Sequence, residues 1–239
     1  MVQTTSQPAT SSIESIDNSS DTSTNPSATQ VIIPSVDKPI KYPVTLEEFL
    51  DWYPDGYGRY ELYDGVIVEM QPTGTHEQVS GFLAAEIIIE IRRLKLSYII
   101  PRQAIIKPLD DEKSGYIPDV IVINEPNLEA EPMWRKRSTI TKGETIKLVV
   151  EVVSTNWQND YMTKVRDYEI LGIPEYWLVD YLGWGGRRYI GTPKQPTIFV
   201  YQLIDGEYEV QQYRGDDCLV SLAFPELNLT ASQIFQVAN

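Results

Sequence analysis

The chain has 239 residues, with 34 Asp and Glu against 20 Lys and Arg, a net charge of −14, one His and one Cys. That length supports one large domain or two small ones with a full core, while a single Cys and a single His exclude an internal disulfide and a Cys/His zinc site. The acidic balance, pI about 4.5, disfavours indiscriminate adhesion to nucleic acid or anionic membrane, and the lone thiol points to a reducing cytoplasm.

Residues 1–30 contain 14 Ser or Thr and no aromatic residue, Lys or Arg. Such a polymer cannot bury enough apolar surface to offset its ordering entropy, which predicts a disordered Ser/Thr-rich tail over residues 1–40 and a folded domain over 41–239. The stretch has neither the basic nor the apolar region of a signal peptide. Ala84–Ile91 and Leu148–Val153, the most apolar runs, are too short to span a membrane and each carries Glu. The tail holds only −3 of the net charge, so −11 belongs to the domain.

Thr45 with Glu48 forms a capping box opening a short helix that Pro54-Asp55-Gly56 ends. Tyr60–Met70 reads as two strands joined by Asp64-Gly65, a hairpin turn pair. A long helix is expected over His76–Leu96, from the spacing of Val79, Phe82, Leu83, Ile87 and Leu94. Strands follow at Tyr98–Lys107 and Ile117–Ile123, with a loop at Asp110–Gly115 between them. Asn127–Lys142 reads as a loop with a short helix. Ile146–Val153 and Pro174–Tyr181 are near-continuous apolar strands flanking a helix at Asp160–Leu171, which Gly172 stops. TIFVYQL, EYEVQQY and CLVSLAF then read as antiparallel strands, with Asp205-Gly206 at one turn. Strands with intervening helices and flanking hairpins make this a mixed α/β domain.

Two acids interrupt these apolar strands: Asp119 at the mouth of IPDVIVI and Glu151 inside LVVEVV. A carboxylate buried in a strand is costly unless it is paired, hydrogen-bonded or bound to metal. One such acid reads as a structural ion pair; two on neighbouring strands make a Mg²⁺ or Mn²⁺ site comparably strong. On the next helix Tyr161, Lys164, Val165 and Tyr168 share one face, so Lys164 stands in an otherwise apolar stripe. It either snorkels to water or aims its ammonium at the two carboxylates. Two carboxylates, a cation and a lysine suit phosphodiester hydrolysis.

Pro118-Asp119, Glu151-Val152-Val153-Ser154, Lys164, Tyr168 and Gly172-Ile173-Pro174-Glu175-Tyr176-Trp177 together resemble the Uma2 family, assigned as endonucleases of the PD-(D/E)XK superfamily. The resemblance implies a restriction-endonuclease-like fold, a mixed β-sheet flanked by helices with antiparallel strands at the C-terminal end. It also implies Mg²⁺- or Mn²⁺-dependent DNA cleavage, with Asp119 and Glu151 as metal ligands, and a homodimer. The superfamily commonly places Lys two residues after the second acid; here that position is Val153, and similar sequences carry the lysine on the following helix, where Lys164 stands. Glu61 matches an acid before the Asp-Gly turn and is a candidate further ligand to metal or water. His76 is a candidate phosphate contact or proton shuttle, against the plainer role of a helix-terminal hydrogen bond. Glu86 and Glu90 lie on the core side of the long helix and rank below Glu61. A nuclease-fold protein that binds or regulates without cutting is the alternative; the acidic charge favours it and the complete Asp119, Glu151 and Lys164 set disfavours it.

Overall fold

The computed structural model describes residues 42–54 and 58–238. The expected tail over 1–40, and Asp55-Gly56 at the end of the first helix, lie outside them. Thr45 caps α1 (Leu46–Trp52): its hydroxyl accepts from the Glu48 N–H, and the Glu48 carboxylate accepts from the Thr45 N–H at 2.8 Å. β1 (Arg59–Tyr63) and β2 (Val66–Met70) form the predicted hairpin. Asp64 (φ 43°) and Gly65 (φ 79°) both take the left-handed backbone that a two-residue turn of this hand requires. α2 (Gly74–Leu94) starts earlier than the apolar spacing indicates, because the Thr73 hydroxyl caps it by accepting from the His76 N–H.

The strand expected over Tyr98–Lys107 is broken into β3 (Tyr98–Ile99) and β4 (Ile105–Ile106), which belong to different sheets. Pro101 sits between them and has no N–H for a ladder. The chain continues through β5 (Val120–Asn124), α3 (Trp134–Arg137), β6 (Thr139–Ile140), β7 (Ile146–Val152), α4 (Val165–Leu171), β8 (Glu175–Asp180), α5 (Arg187–Ile190), β9 (Thr197–Ile204), β10 (Glu207–Tyr213) and α6 (Ala231–Gln236).

The main sheet has six strands in the order β10-β9-β8-β7-β5-β3. β7 and β8 run parallel across a helical connection, and the remaining neighbours are antiparallel. Strand alternation divides the core. Val120, Val122, Leu148, Val150, Val152, Trp177 and Val179 face α2 and α6, where Val79, Leu83, Ile87 and Ile234 meet them. Ile121, Ile123, Val149, Val153, Tyr176 and Leu178 face Tyr161 and Tyr168 on the other side. A smaller core joins α1 to the hairpin through Leu46, Phe49, Leu62 and Ile67.

Two further expectations are corrected. CLVSLAF is not a strand: Cys218 makes an isolated bridge to Thr230, and the Cys218 thiol is exposed. The segment is held by β8 and β9 side chains instead. The Glu175 carboxylate accepts from the N–H groups of Leu222 (2.6 Å) and Ala223 (2.9 Å) and from Trp177 Nε1 (2.5 Å), and the Gln202 amide donates to the Val220 carbonyl. Glu175→Ala leaves those donors without their acceptor and is expected to lower stability by about 2–3 kcal/mol, read as a fall in the urea midpoint at unchanged slope. The second correction concerns the helix after β7. Its first turns, Asn159–Lys164, are π-helical, and α-helix begins only at Val165. The wider turn brings Asp160, Tyr161 and Lys164 inward together, ahead of Asp167 and Tyr168.

Candidate active site

Arg59, Glu61 and Tyr63 alternate along β1, so they share one face of the hairpin. Glu61 is fully buried there, with both carboxylate oxygens engaged. Oε1 accepts from the Ile117 N–H at 2.7 Å and from Lys164 Nζ at 3.2 Å, and Oε2 accepts from the Tyr63 hydroxyl at 2.6 Å. Glu151 takes the inward position between Val149 and Val153, so its carboxylate points away from α2. Its Oε1 accepts from the Tyr168 hydroxyl at 2.7 Å and lies 3.0 Å from Lys164 Nζ. The π-helical turn adds Asp160, 3.4 Å from the same ammonium and one helical step (i, i+4) before it. Lys164 is 1% exposed and does not reach solvent. Its ammonium is the hub of three carboxylates and stands 5.8 Å from the centre of the Tyr116 ring.

Asp119 stands just before β5, beside β7. Val120 pairs with Val150, so the preceding residue reaches the Glu151–Val152 peptide. Asp119 Oδ2 accepts from the Val152 N–H at 2.8 Å and lies 3.2 Å from His76 Nε2; Oδ1 lies 3.6 Å from Arg59. His76 Nε2 is 2.9 Å from the Val152 carbonyl, which can only accept, so the proton is assigned to Nε2. Nδ1 of His76 and Nε of Arg59 are buried and have no hydrogen-bond partner among the described residues. Arg59 also donates to the carbonyls of Ile117 and Pro118, which clamps the turn that presents Asp119.

The structure therefore brings the five candidates into two adjoining groups, Lys164–Glu61–Glu151 and Asp119–His76, joined through the Glu151–Val152 peptide. Lys164 meets Glu151, and its ion pairs do not include Asp119. Glu90 is turned to the other end of α2, paired with Arg93 at 2.7 Å, and Glu86 is half-buried there without joining the site. Arg59 and Asp160 escaped the sequence reading. Their signals were positional: Arg59 is two residues before Glu61 on a strand, and Asp160 is four before Lys164 on a helix.

Electrostatics follows burial and charge count. Burial, reinforced by Asp119, Asp160 and Glu61, pushes the Glu151 carboxyl well up, although Lys164 pulls it down. Burial likewise pushes Asp160 up to about 7 against the pull of Lys164. Burial opposes the charge on Lys164, but Glu151 and Glu61 outweigh it and hold the ammonium protonated. Asp119 moves the other way: burial raises it, and the His76 hydrogen bond and charge, Arg59 and the Val152 N–H together bring it below the usual carboxylate range. His76 is raised in turn: burial opposes its charge, and the bond to Asp119 exceeds that opposition.

Among the described residues, no group of three or more His, Cys, Asp or Glu is arranged to hold a metal ion. Two buried carboxylates nevertheless stand close to each other, Asp119 just before β5 and Glu151 on β7, and the charge of Asp119 adds to the rise of the Glu151 carboxyl.

The sequence matches the Uma2 family, described as "Putative restriction endonuclease", over residues 46–232. No curated protein matches it. A solved structure from Anabaena variabilis ATCC 29413, described as "a putative nuclease belonging to DUF820", has the same fold: TM-score 0.61 at 18% identity, covering 82% of this chain and 100% of that one. The matched span contains every strand of the main sheet and all five candidate residues, and the chain belongs to the Uma2 family.

Proposed function

We propose that this chain is a divalent-metal-dependent endonuclease that hydrolyses DNA phosphodiester bonds. One observation carries the reading. A fully buried lysine, delivered by the helix after β7, stands 3.0 Å from the acid in the middle of that strand, while the neighbouring strand presents a second acid. Apolar side chains of similar volume would fill the same space at lower desolvation cost, so stability alone does not call for this cluster.

Asp119 and Glu151 would hold Mg²⁺ or Mn²⁺, which when bound neutralises the scissile phosphate and makes a coordinated water more acidic. Lys164 turns its ammonium to the Glu151 carboxylate, where it can hold an attacking water and stabilise negative charge developing on phosphorus oxygens. Glu61 is a positioning acid and not a free ligand, since both its oxygens are taken. His76 supports Asp119 through Nε2 and leaves Nδ1 to accept a proton, after which it can donate to a phosphate oxygen. Arg59 fixes the turn carrying Asp119. A two-fold dimer would place one such site on each antiparallel DNA strand. The free thiol of Cys218 accords with a reducing cytoplasm as the compartment. No helix among the described residues is long and apolar enough to cross a membrane.

Supercoiled plasmid with Mg²⁺ or Mn²⁺ tests the reading. Nicking is expected to stop with EDTA and to fall about 100-fold in Glu151→Gln. Equal cutting by both proteins, or no cutting with either cation, overturns it, and DNA binding without cutting would favour the regulatory alternative.

A further inference from the structure

The segment Leu182–Thr197 reads LGWGGRRYIGTPKQPT, with three cations and no acid, in a chain that carries 34 acids. The fold sets this segment at the same end of the sheet as the candidate site. β7 and β8 are parallel, with Val152 opposite Val179, and Asp180 is opposite Thr197 at the start of β9. The loop from β8 to β9 therefore leaves and re-enters the sheet beside the end of β7 where Val152 holds Asp119 and His76. In open sheets, ligands gather outside the carboxyl ends of parallel strands.

The loop is built as a firm platform. Asp180 is fully buried and accepts from the N–H groups of Trp184 (2.8 Å) and Gly185 (2.7 Å) and from the Tyr161 hydroxyl. Tyr189 packs on Tyr161 at 4.8 Å and on Trp157 at 6.3 Å, which fixes α5 against the π-helical turn that carries Lys164. Arg187 and Arg188 are exposed on that platform; Arg188 lies over the Tyr189 ring and within 3.3 Å of the Met162 sulfur. Among the described residues neither guanidinium is paired with a carboxylate, unlike Arg93, Arg137 and Arg166.

We infer that Arg187 and Arg188 form a phosphate-backbone contact that seats DNA against the site from the β8–β9 side. The inference rests on the nuclease reading and deepens it by naming the surface that takes the duplex. An acidic domain repels DNA at long range, so an acid-free cationic rim beside the carboxylates supplies the local attraction that the net charge denies.

The test is fluorescence anisotropy of a labelled 20-base-pair duplex with Ca²⁺ in place of Mg²⁺, over a series of salt concentrations. The double variant Arg187→Glu/Arg188→Glu is expected to bind about tenfold or more weakly, with the salt slope reduced by about 2, since two DNA phosphates are no longer neutralised. Arg92→Glu/Lys95→Glu makes the same charge change at the far end of α2, roughly 25 Å along the helix from His76, and is expected to bind within about threefold of wild type. Unchanged affinity and slope in the first variant, or equal weakening in both, overturns the inference. If wild type cuts plasmid and the first variant binds normally, only this surface is wrong. If wild type binds through these arginines and never cuts, the surface stands and the nuclease reading falls. If wild type binds no DNA, both fall.

Discussion

Lys164→Met is expected to reduce DNA cleavage about 100- to 1,000-fold, the loss typical when a donor aimed at developing negative charge is removed. The same change should lower stability by about 3–5 kcal/mol, because it strips a fully buried cluster of its cation while Glu61, Glu151 and Asp160 remain. The sign of the pH dependence separates this from a simple packing loss. Glu151 and Asp160 already titrate above their ordinary values, chiefly through burial, with Lys164 holding them down. Without Lys164 both rise further and take up protons in the folded state. A carboxyl with a higher pKa folded than unfolded subtracts stability as pH climbs above about 4. The gap in melting temperature between wild type and variant should therefore be narrow near pH 4 and widen toward pH 8. A gap that does not change with pH would mean that the ammonium does not govern those carboxyls.

Asp119→Asn should be nearly as severe for activity and far milder for the fold. Asparagine keeps an oxygen for the Val152 N–H but offers a cation no charge, so cleavage is expected to fall about 100-fold or more, with a higher Mn²⁺ concentration needed for half-maximal rate. Asp119 titrates below its ordinary value: burial opposes this, and His76, Arg59 and the Val152 N–H prevail. It therefore adds stability above the unfolded carboxylate pKa near 4, which is lost as pH falls through the lower folded value. The asparagine variant lacks that contribution, so its melting temperature should vary less with pH in the acid range. Wild-type cleavage and metal requirement in Asp119→Asn would remove Asp119 from the site.

The parts of the fold that were legible are those whose cause is local. The Thr45–Glu48 capping box and the turns at Asp64-Gly65 and Asp205-Gly206 need only neighbouring residues, and they stand as read. The apolar runs of β7 and β8 declared themselves as covered strands, which is why Glu151 stood out. Lys164 was legible for the same reason, as a charge in an apolar stripe. Where tertiary partners decide, the sequence was silent. CLVSLAF has the composition of a strand, but Glu175 and Gln202 take its backbone groups. Tyr98–Lys107 looks continuous until Pro101 sends its halves to different sheets. A π-helical turn has no signature in apolar spacing, so nothing in the sequence marks Asp160 as a partner of Lys164. Nothing local marks Arg59, because its partner Asp119 lies 60 positions away.

β1 bears on both halves of the site at once, Arg59 on Asp119 and Glu61 on Lys164. Glu61 and Lys164 are 103 residues apart, and His76 and Val152 are 76 apart. A growing chain emerging from the ribosome thus presents Glu61, His76 and Asp119 long before Glu151 and Lys164 exist to complete them. Contacts of such sequence separation form late, after the loops between them have closed. Partial translation products that stop short of the helix after β7 carry most of the acids and none of the assembled cluster. The cation that joins the three carboxylates is encoded only in the last third of the protein.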